Sequence, residues 1–300
     1  MAQILLTGST GFVGRHLAPA LAASGHRIVE AGRRLRSAEA RFVPIGEIGP
    51  ETRWEDALAD VNAVIHLAGL AHRKVVAASD YYTVNDAGTQ TLVEACKAAG
   101  VGVVIFVSSI AARTAAKTPH EATYGASKRA GEEHVLRFAR SGRTAIVLRP
   151  PLVYGHDAPG NWRRLQRIAA SGLPLPFGAV ANRRSLLAVG NLCHAIGAAL
   201  EVGLRGEGGG IYEISDREPV SLAEILSSLR AGMGLPPRLF PVPARMLRLA
   251  ARVTGTTASA TSLLDDLILD PSPFMKAFDW APPEKTLEAI AQSGRLYLSR

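Results

Sequence analysis

Short β-branched and aliphatic runs alternate with amphipathic stretches through the first half of the chain, the rhythm of parallel strands joined by crossover helices. The strand runs fall at residues 3–7, 27–31, 41–44, 63–67, 101–107 and 145–148. Two of them, AVIHL at 63–67 and VGVVIFV at 101–107, are nearly continuous in apolar residues, as expected of strands covered on both faces. Between the strands, residues 11–24 carry Phe12, Leu17 and Leu21 at helical spacing and stop at Gly25, while residues 83–99 stop at Gly100. The pattern predicts an α/β fold with a doubly wound parallel sheet over residues 1–150.

After Pro150 and Pro151 the rhythm loosens, and proline and glycine gather around residues 172–178 and 236–243. Residues 151–300 read as a smaller, mostly C-terminal substrate-binding lobe, with some segments returning to the main sheet. GEGGG at 206–210 marks a turn. The helical stretch 244–253 places Arg245, Arg248 and Arg252 on one face, with Met246, Leu247, Leu249 and Ala250 largely elsewhere. A solvated basic face and a membrane-surface helix both fit that arrangement.

Composition narrows the class. Of 300 residues 47% are hydrophobic and 20% charged, which supports a packed core and excludes a disordered chain. The uncharged run at 98–112 is shorter than the ~18 residues of a membrane span and holds Gly100, Gly102, Ser108 and Ser109. The opening MAQILLTGST has no basic segment or cleavage pattern, so a cytoplasmic protein is expected. Cys96 and Cys193, the only cysteines, are too few for a disulfide framework and form no C-x-x-C pair, and the histidines form no H-x-x-x-H cluster; no metal is expected. A net charge of +8 favours anionic partners in general. With aromatics at 6% and no interleaved basic and aromatic motif, a nucleic-acid partner is not expected.

The chemistry starts at Thr7-Gly8-Ser9-Thr10-Gly11-Phe12-Val13-Gly14, where the first strand meets the first helix. Glycines there allow a tight turn, close approach of backbone to a pyrophosphate, and close packing of helix on strand. Residues 1–150 therefore read as a dinucleotide-binding Rossmann domain. At the end of the second strand an NAD site usually offers a carboxylate, but this chain offers Gly32-Arg33-Arg34. Two guanidinium groups suit a 2′-phosphate, so NADP(H) is preferred and NAD(H) stays open; a solvated basic run that includes Arg36 is the competing reading. Tyr124 and Lys128 stand four apart on one helical face, where the ammonium can lower the phenol's pKa, and Ser108-Ser109 ends the preceding strand with a hydroxyl for the same substrate oxygen.

With these motifs the chain resembles the extended short-chain dehydrogenase/reductases, the NAD(P)-dependent sugar-nucleotide epimerases, dehydratases and reductases, over essentially its full length. The residues that carry the resemblance are TGSTGFVG at 7–14, HLAG at 66–69, V84-N85 with G88-T89, S108-S109, YGASK at 124–128 and LRPPLVYG at 148–155. The resemblance implies that Ser109, Tyr124 and Lys128 form the catalytic trio. It also implies that Gly8, Thr10, Gly11, Phe12, Val13, Gly14, Leu67, Ala68, Gly69, Asn85 and Pro151 line the cofactor site, with Glu47 and Ile48 flanking adenine. GLPLPFG at 172–178, A179-V180 and NRRSL at 182–186 are similar to the 4-reductases that make UDP-N-acetylquinovosamine. That similarity implies Phe177 near uracil, Arg184 on the diphosphate and Asn161 on a phosphate oxygen. Loop filler, surface cation and helix cap are the respective structural alternatives.

Two departures matter. Ser109 is followed by Ile110-Ala111-Ala112 where the family's 4,6-dehydratases carry an Asp-Glu pair, which disfavours dehydration. Residues 265–273 lack the arginine that many relatives use on the diphosphate. Together with Gly32-Arg33-Arg34, the resemblance implies an NADPH-dependent reductase of a UDP-4-keto-6-deoxy-N-acetylhexosamine for surface polysaccharides. A UDP-hexose or UDP-N-acetylhexosamine 4-epimerase is the alternative, and a cofactor-sensing regulator the rival from another class. A homodimer through helices 83–99 and 124–140 is what the resemblance suggests.

Overall fold

Strand Ala63–His66 is buried along its whole length, so it finds backbone partners on both sides only inside a sheet. In the computed structural model, which describes residues 1–33, 41–71, 77–116, 118–253 and 263–299, it does so. The strands are β1 (Gln3–Thr7), β2 (Arg27–Gly32), β3 (Arg41–Pro44), β4 (Ala63–His66), β5 (Val103–Val107), β6 (Thr144–Arg149), β7 (Leu152–Tyr154), β8 (Leu186–Ala188) and β9 (Gly210–Glu213). Seven form one sheet in the order β3-β2-β1-β4-β5-β6-β9, and each neighbouring pair is parallel. The order reverses between β1 and β4, which opens a crevice at their carboxyl ends, the usual ligand position in such sheets.

The chain divides into two units. The first comprises Met1–Pro150, Cys193–Ile214 and Pro271–Trp280. Its core under one face of the sheet includes Trp54, Val64, Val104, Phe106, Phe138 and Val147. Cys96 lies in that core, and burial pushes its thiol up to about 12, which leaves it inert at neutral pH. Tyr212 on β9 packs edge-on against Phe274 and Phe278.

The second unit comprises Pro151–Leu192, Ser215–Asp270 and Ala281–Arg300, and pairs β7 with β8 in parallel. Its polar centre is Asp216, which accepts hydrogen bonds from Tyr154 Oη (2.8 Å), Asn191 Nδ2 (2.7 Å) and the Ala188 N–H. Burial raises this carboxyl to about 6 despite those donors. Arg230, fully buried, donates to the carbonyls of Ala169, Leu173 and Pro237 and ties three segments together.

The structure departs from the sequence reading in three places. β9 is a seventh parallel strand, and it begins on the last glycine of the run read as a turn. The helix expected to open at Tyr124 starts five residues earlier and spans Pro119–Ala139, with Thr118 Oγ1 accepting the Glu121 N–H and proline in the first turn. The helix expected over 83–99 also starts earlier, at Ala78, and widens into a π-turn at Thr83–Ala87 before continuing as Gly88–Ala98.

Candidate active site

The glycine loop meets the physical demands of a dinucleotide. Gly8 adopts φ +74°, and a Cβ there would sit 2.8 Å from the Ala68 backbone nitrogen, so only glycine lets the loop cross the end of β4. A Cβ on Gly14 would meet the Gly8 carbonyl oxygen at 2.3 Å, which fixes how closely the helix Phe12–Ala23 approaches β1. That helix begins at Gly11 with no side-chain cap and no acidic residue in its first turn, leaving its N-terminal dipole open to an anion. Thr10 and Gly11 are exposed, Phe12 and Val13 half-buried, and Gly14 buried. The arrangement fits a pyrophosphate over the loop.

At the tip of β2, Arg33 pairs with Glu47 at 3.0 Å in an exposed ion pair. Arg34 lies outside the described residues. Glu30 is fully buried within β2 and is not available to a ribose. Ile48 is half-buried and packs against the core, its Cγ2 lying 2.5 Å from where a Cβ on Gly88 would stand.

Behind β4, Asn85 works as a clamp. Its Oδ1 accepts the Leu70 N–H (2.8 Å), and its Nδ2 donates to the Leu70 carbonyl and to Ser127 Oγ (3.0 Å). It thereby joins the turn Leu67-Ala68-Gly69 to the helix that carries Tyr124. His66 is held beneath that turn. Thr89 Oγ1 gives its proton to the Asn85 carbonyl, so His66 Nε2–H donates to Thr89, and His66 Nδ1 accepts the Thr7 hydroxyl at 2.7 Å. Thr7 Oγ1 in turn accepts the Ala68 N–H. Burial, with Lys128 adding to it, lowers the imidazole to about 3, so His66 stays neutral and structural.

The predicted trio assembles at the carboxyl end of β5. Ser109 caps the short turn Ile110–Ala112, accepting the Ala111 N–H, and its side chain lies near enough to the Tyr124 phenol to act on its pKa. The approach is close: a Cβ on Gly125 would meet the Ala111 carbonyl oxygen at 2.3 Å. Lys128, one turn along the helix and buried, donates to the Val107 carbonyl (2.9 Å) and lies 4.1 Å from the centroid of the Phe106 ring. Burial lowers its ammonium to about 7, with Glu132 pulling the other way.

The expected lowering of the phenol is not what this arrangement produces. Tyr124 sits above the ordinary tyrosine value because burial outweighs the Ser109 hydrogen bond, and Tyr81 raises it further. Lys128 is turned toward a carbonyl and an aromatic face.

Two groups around the trio were not singled out from the sequence. Tyr81 is buried with its ring edge-on to Tyr124, centroids 6.1 Å apart, and its Oη lies 3.1 Å from His120 Nε2. Tyr81 stands four residues before Asn85, the spacing that would have put it near the same face. Glu132 is buried one turn beyond Lys128, accepts Ser108 Oγ (2.5 Å), and takes Arg149 in a two-armed ion pair at 2.9 and 2.5 Å.

The remaining predicted residues lie in the second unit. Pro151 is buried. Asn161 is exposed as the first residue of the helix Asn161–Ala170, whose cap is Gly160 at φ 67°, so the capping alternative for Asn161 does not hold. Phe177 is half-buried in a loop, its carbonyl accepting the Val180 N–H. Arg184 is held by reciprocal backbone bonds to Val220 and by Nη1 donation to the Asp265 carbonyl (2.6 Å). Burial lowers its pKa while Asp265 and Asp266 oppose the shift. No hydrogen bond joins these three residues to one another.

The fold agrees with the comparisons to known proteins. The chain belongs to the NAD dependent epimerase/dehydratase family, whose model matches residues 4–215. It is 30% identical to a UDP-glucose 4-epimerase of Vibrio cholerae across 99% of this chain and 95% of that protein. It is also 30% identical to a ceramide reductase of Caulobacter vibrioides, across 93% and 86% respectively. Among solved structures, MoeE5 in complex with UDP-glucuronic acid and NAD superposes with a TM-score of 0.77 at 25% identity, covering 99% of this chain and 100% of that one. Relatives of similar identity thus include an epimerase and a reductase, and they do not single out the UDP-N-acetylquinovosamine 4-reductases.

Proposed function

We propose that this enzyme reduces the C4 ketone of a UDP-4-keto-6-deoxy-N-acetylhexosamine with NADPH, in the cytoplasm and as a homodimer, for surface polysaccharide synthesis. The observation that carries the reading is the proximity of Ser109 to the Tyr124 phenol, one helical turn from buried Lys128. A nicotinamide dinucleotide bound over the glycine loop supplies the hydride. Tyr124, kept protonated by its surroundings at neutral pH, donates its proton to the oxygen developing at C4, and Ser109 bonds that oxygen. Lys128 supplies a positive charge beside the reacting groups in its protonated form, and Asn85 fixes the turn against which they work. In this reading Gly8, Thr10, Gly11, Phe12, Val13, Gly14, Leu67, Ala68, Gly69 and Pro151 line the cofactor site, while Asn161, Phe177 and Arg184 hold the uridine diphosphate.

The preference for NADPH rests on the tip of β2, where Arg33 is present, Glu30 is buried, and the neighbouring carboxylate, Glu47, is engaged with Arg33. Replacing the Glu47 contact by a 2′-phosphate exchanges one exposed ion pair for a charge-assisted bond to a stronger acceptor. Arg33→Ala is expected to lower kcat/KM for NADPH by about 10-fold or more, with NADH changed by less than about 3-fold, measured by steady-state turnover with each cofactor. Equal losses with both cofactors would remove the 2′-phosphate role.

A second reading, 4-epimerisation of a UDP-hexose by the same trio, is favoured by the full-length similarity to the Vibrio cholerae epimerase. The readings separate on cofactor retention. A reductase exchanges its cofactor at each turnover and is expected to purify with less than about one-tenth occupancy, whereas an epimerase regenerates and keeps it.

A further inference from the structure

The helix Ala244–Val253 of the second unit has an outer surface that the proposed reaction does not use. Ala251 is buried and Ala244 and Leu247 half-buried, so these three, at i, i+3 and i+7, face the protein. At 3.6 residues per turn the other positions sort into two stripes. Arg245, Arg248 and Arg252 form one. Met246, Leu249, Ala250 and Val253 form the other, directed away from the packed side, with Met246 57%, Leu249 61% and Val253 83% exposed. A solvated helix would carry polar residues on that stripe, and here every position is apolar.

Arg248 is anchored to Asp265 Oδ1 at 3.0 Å, but Arg245 and Arg252 make no ion pair among the described residues. Residues 236–253 contain four arginines and no aspartate or glutamate. Phe240 (45% exposed) and Leu173 (65%) are further exposed apolar side chains of the same unit, on two segments joined by the Leu175–Phe240 and Gly178–Phe240 backbone bonds. No helix among the described residues is long and apolar enough to cross a membrane.

Exposed apolar side chains with arginines along one flank match the boundary between acyl chains and headgroups, where a guanidinium on its apolar stem reaches the phosphates. A second copy of the chain fits less well. An antiparallel two-fold interface made by this stripe on itself would set one row of arginines beside an identical row. We propose that the helix Ala244–Val253 docks the protein reversibly on an anionic lipid surface, with Met246, Leu249 and Val253 entering the acyl boundary and Arg245 and Arg252 pairing with headgroup phosphates.

The test is co-sedimentation of the full chain with vesicles of phosphatidylcholine containing about one-third phosphatidylglycerol, against phosphatidylcholine alone, at low and high salt. The expected result is binding to the anionic vesicles that weakens with salt. Arg245→Gln with Arg252→Gln is expected to weaken it by about 25-fold, near 5-fold per arginine, and Leu249→Ser with Val253→Ser by about 10-fold. All the variants should keep the wild-type thermal transition. Failure of the wild type to sediment with anionic vesicles, or unchanged binding by either pair of variants, would overturn the proposal. So would a wild-type dimer in gel filtration that Leu249→Ser with Val253→Ser splits while vesicles are ignored, since the stripe would then join copies of this chain.

Discussion

Tyr124→Phe is expected to reduce kcat by about 10³-fold while leaving nicotinamide cofactor affinity within about 3-fold of wild type. The ring keeps its packing beside Tyr81, so the fold should tolerate the change, and only the proton and the partner of Ser109 are removed. Steady-state kinetics with a fluorescence titration of the cofactor separates the two quantities. A loss confined to KM would assign Tyr124 to substrate holding and leave the proton donor unidentified.

Glu132→Ala is expected to be the most damaging substitution away from the reacting groups. Its carboxylate sits between Ser108 and the two-armed Arg149 contact, with only 3% of the Glu132 side chain and 16% of the Arg149 side chain exposed. Removing Glu132 leaves the half-buried Arg149 guanidinium without its two-armed partner, with Glu213 as its remaining carboxylate, at a cost of about 3 kcal/mol. In a chain of this size that corresponds to a fall in Tm on the order of 10 °C by thermal denaturation. A pH effect accompanies it. Glu132 is the group that raises the Lys128 ammonium against burial, which holds it near 7. Chemistry that uses the charged form declines as pH rises through that value. Without Glu132 the value drops further, so the alkaline decline of kcat/KM moves to lower pH, and Glu132→Gln, which retains an acceptor for Ser108, should show the same shift with a smaller loss of Tm. A profile unmoved in both variants would disconnect Glu132 from Lys128.

Much of the site was legible because its chemistry is written in local spacing. Gly8, Gly11 and Gly14 act through the turn in which they stand, and Tyr124 and Lys128 share a helix face by their separation alone. What tertiary packing decides was harder to read. The i, i+4 spacing brings Lys128 near Tyr124, but the carbonyl at the end of β5 and the face of Phe106 determine where the ammonium points. The Ser108–Glu132–Arg149 network joins two strand ends to one helix, and nothing in the spacing of those residues announces a pair. β9 was hidden because its four residues are exposed or half-buried and begin at Gly210, so no apolar run marks it. The early start of the Tyr124 helix did have a signal, Thr118-Pro119 as cap and first-turn proline. In the second unit, Arg184 fixes its backbone to Val220 and one guanidinium arm to Asp265, partners that lie 36 and 81 residues away in the chain.

The most direct test of the central claim follows the nicotinamide absorbance of NADPH, and separately of NADH, when purified protein meets a UDP-4-keto-6-deoxy-N-acetylhexosamine, with UDP-N-acetylglucosamine as control. The account predicts stoichiometric oxidation of NADPH with the keto sugar, faster than that of NADH, none with the control, and loss of the signal in Tyr124→Phe. Interconversion of a UDP-hexose pair without added cofactor, with no oxidation of NADPH by the keto sugar, would contradict it and make this chain an epimerase.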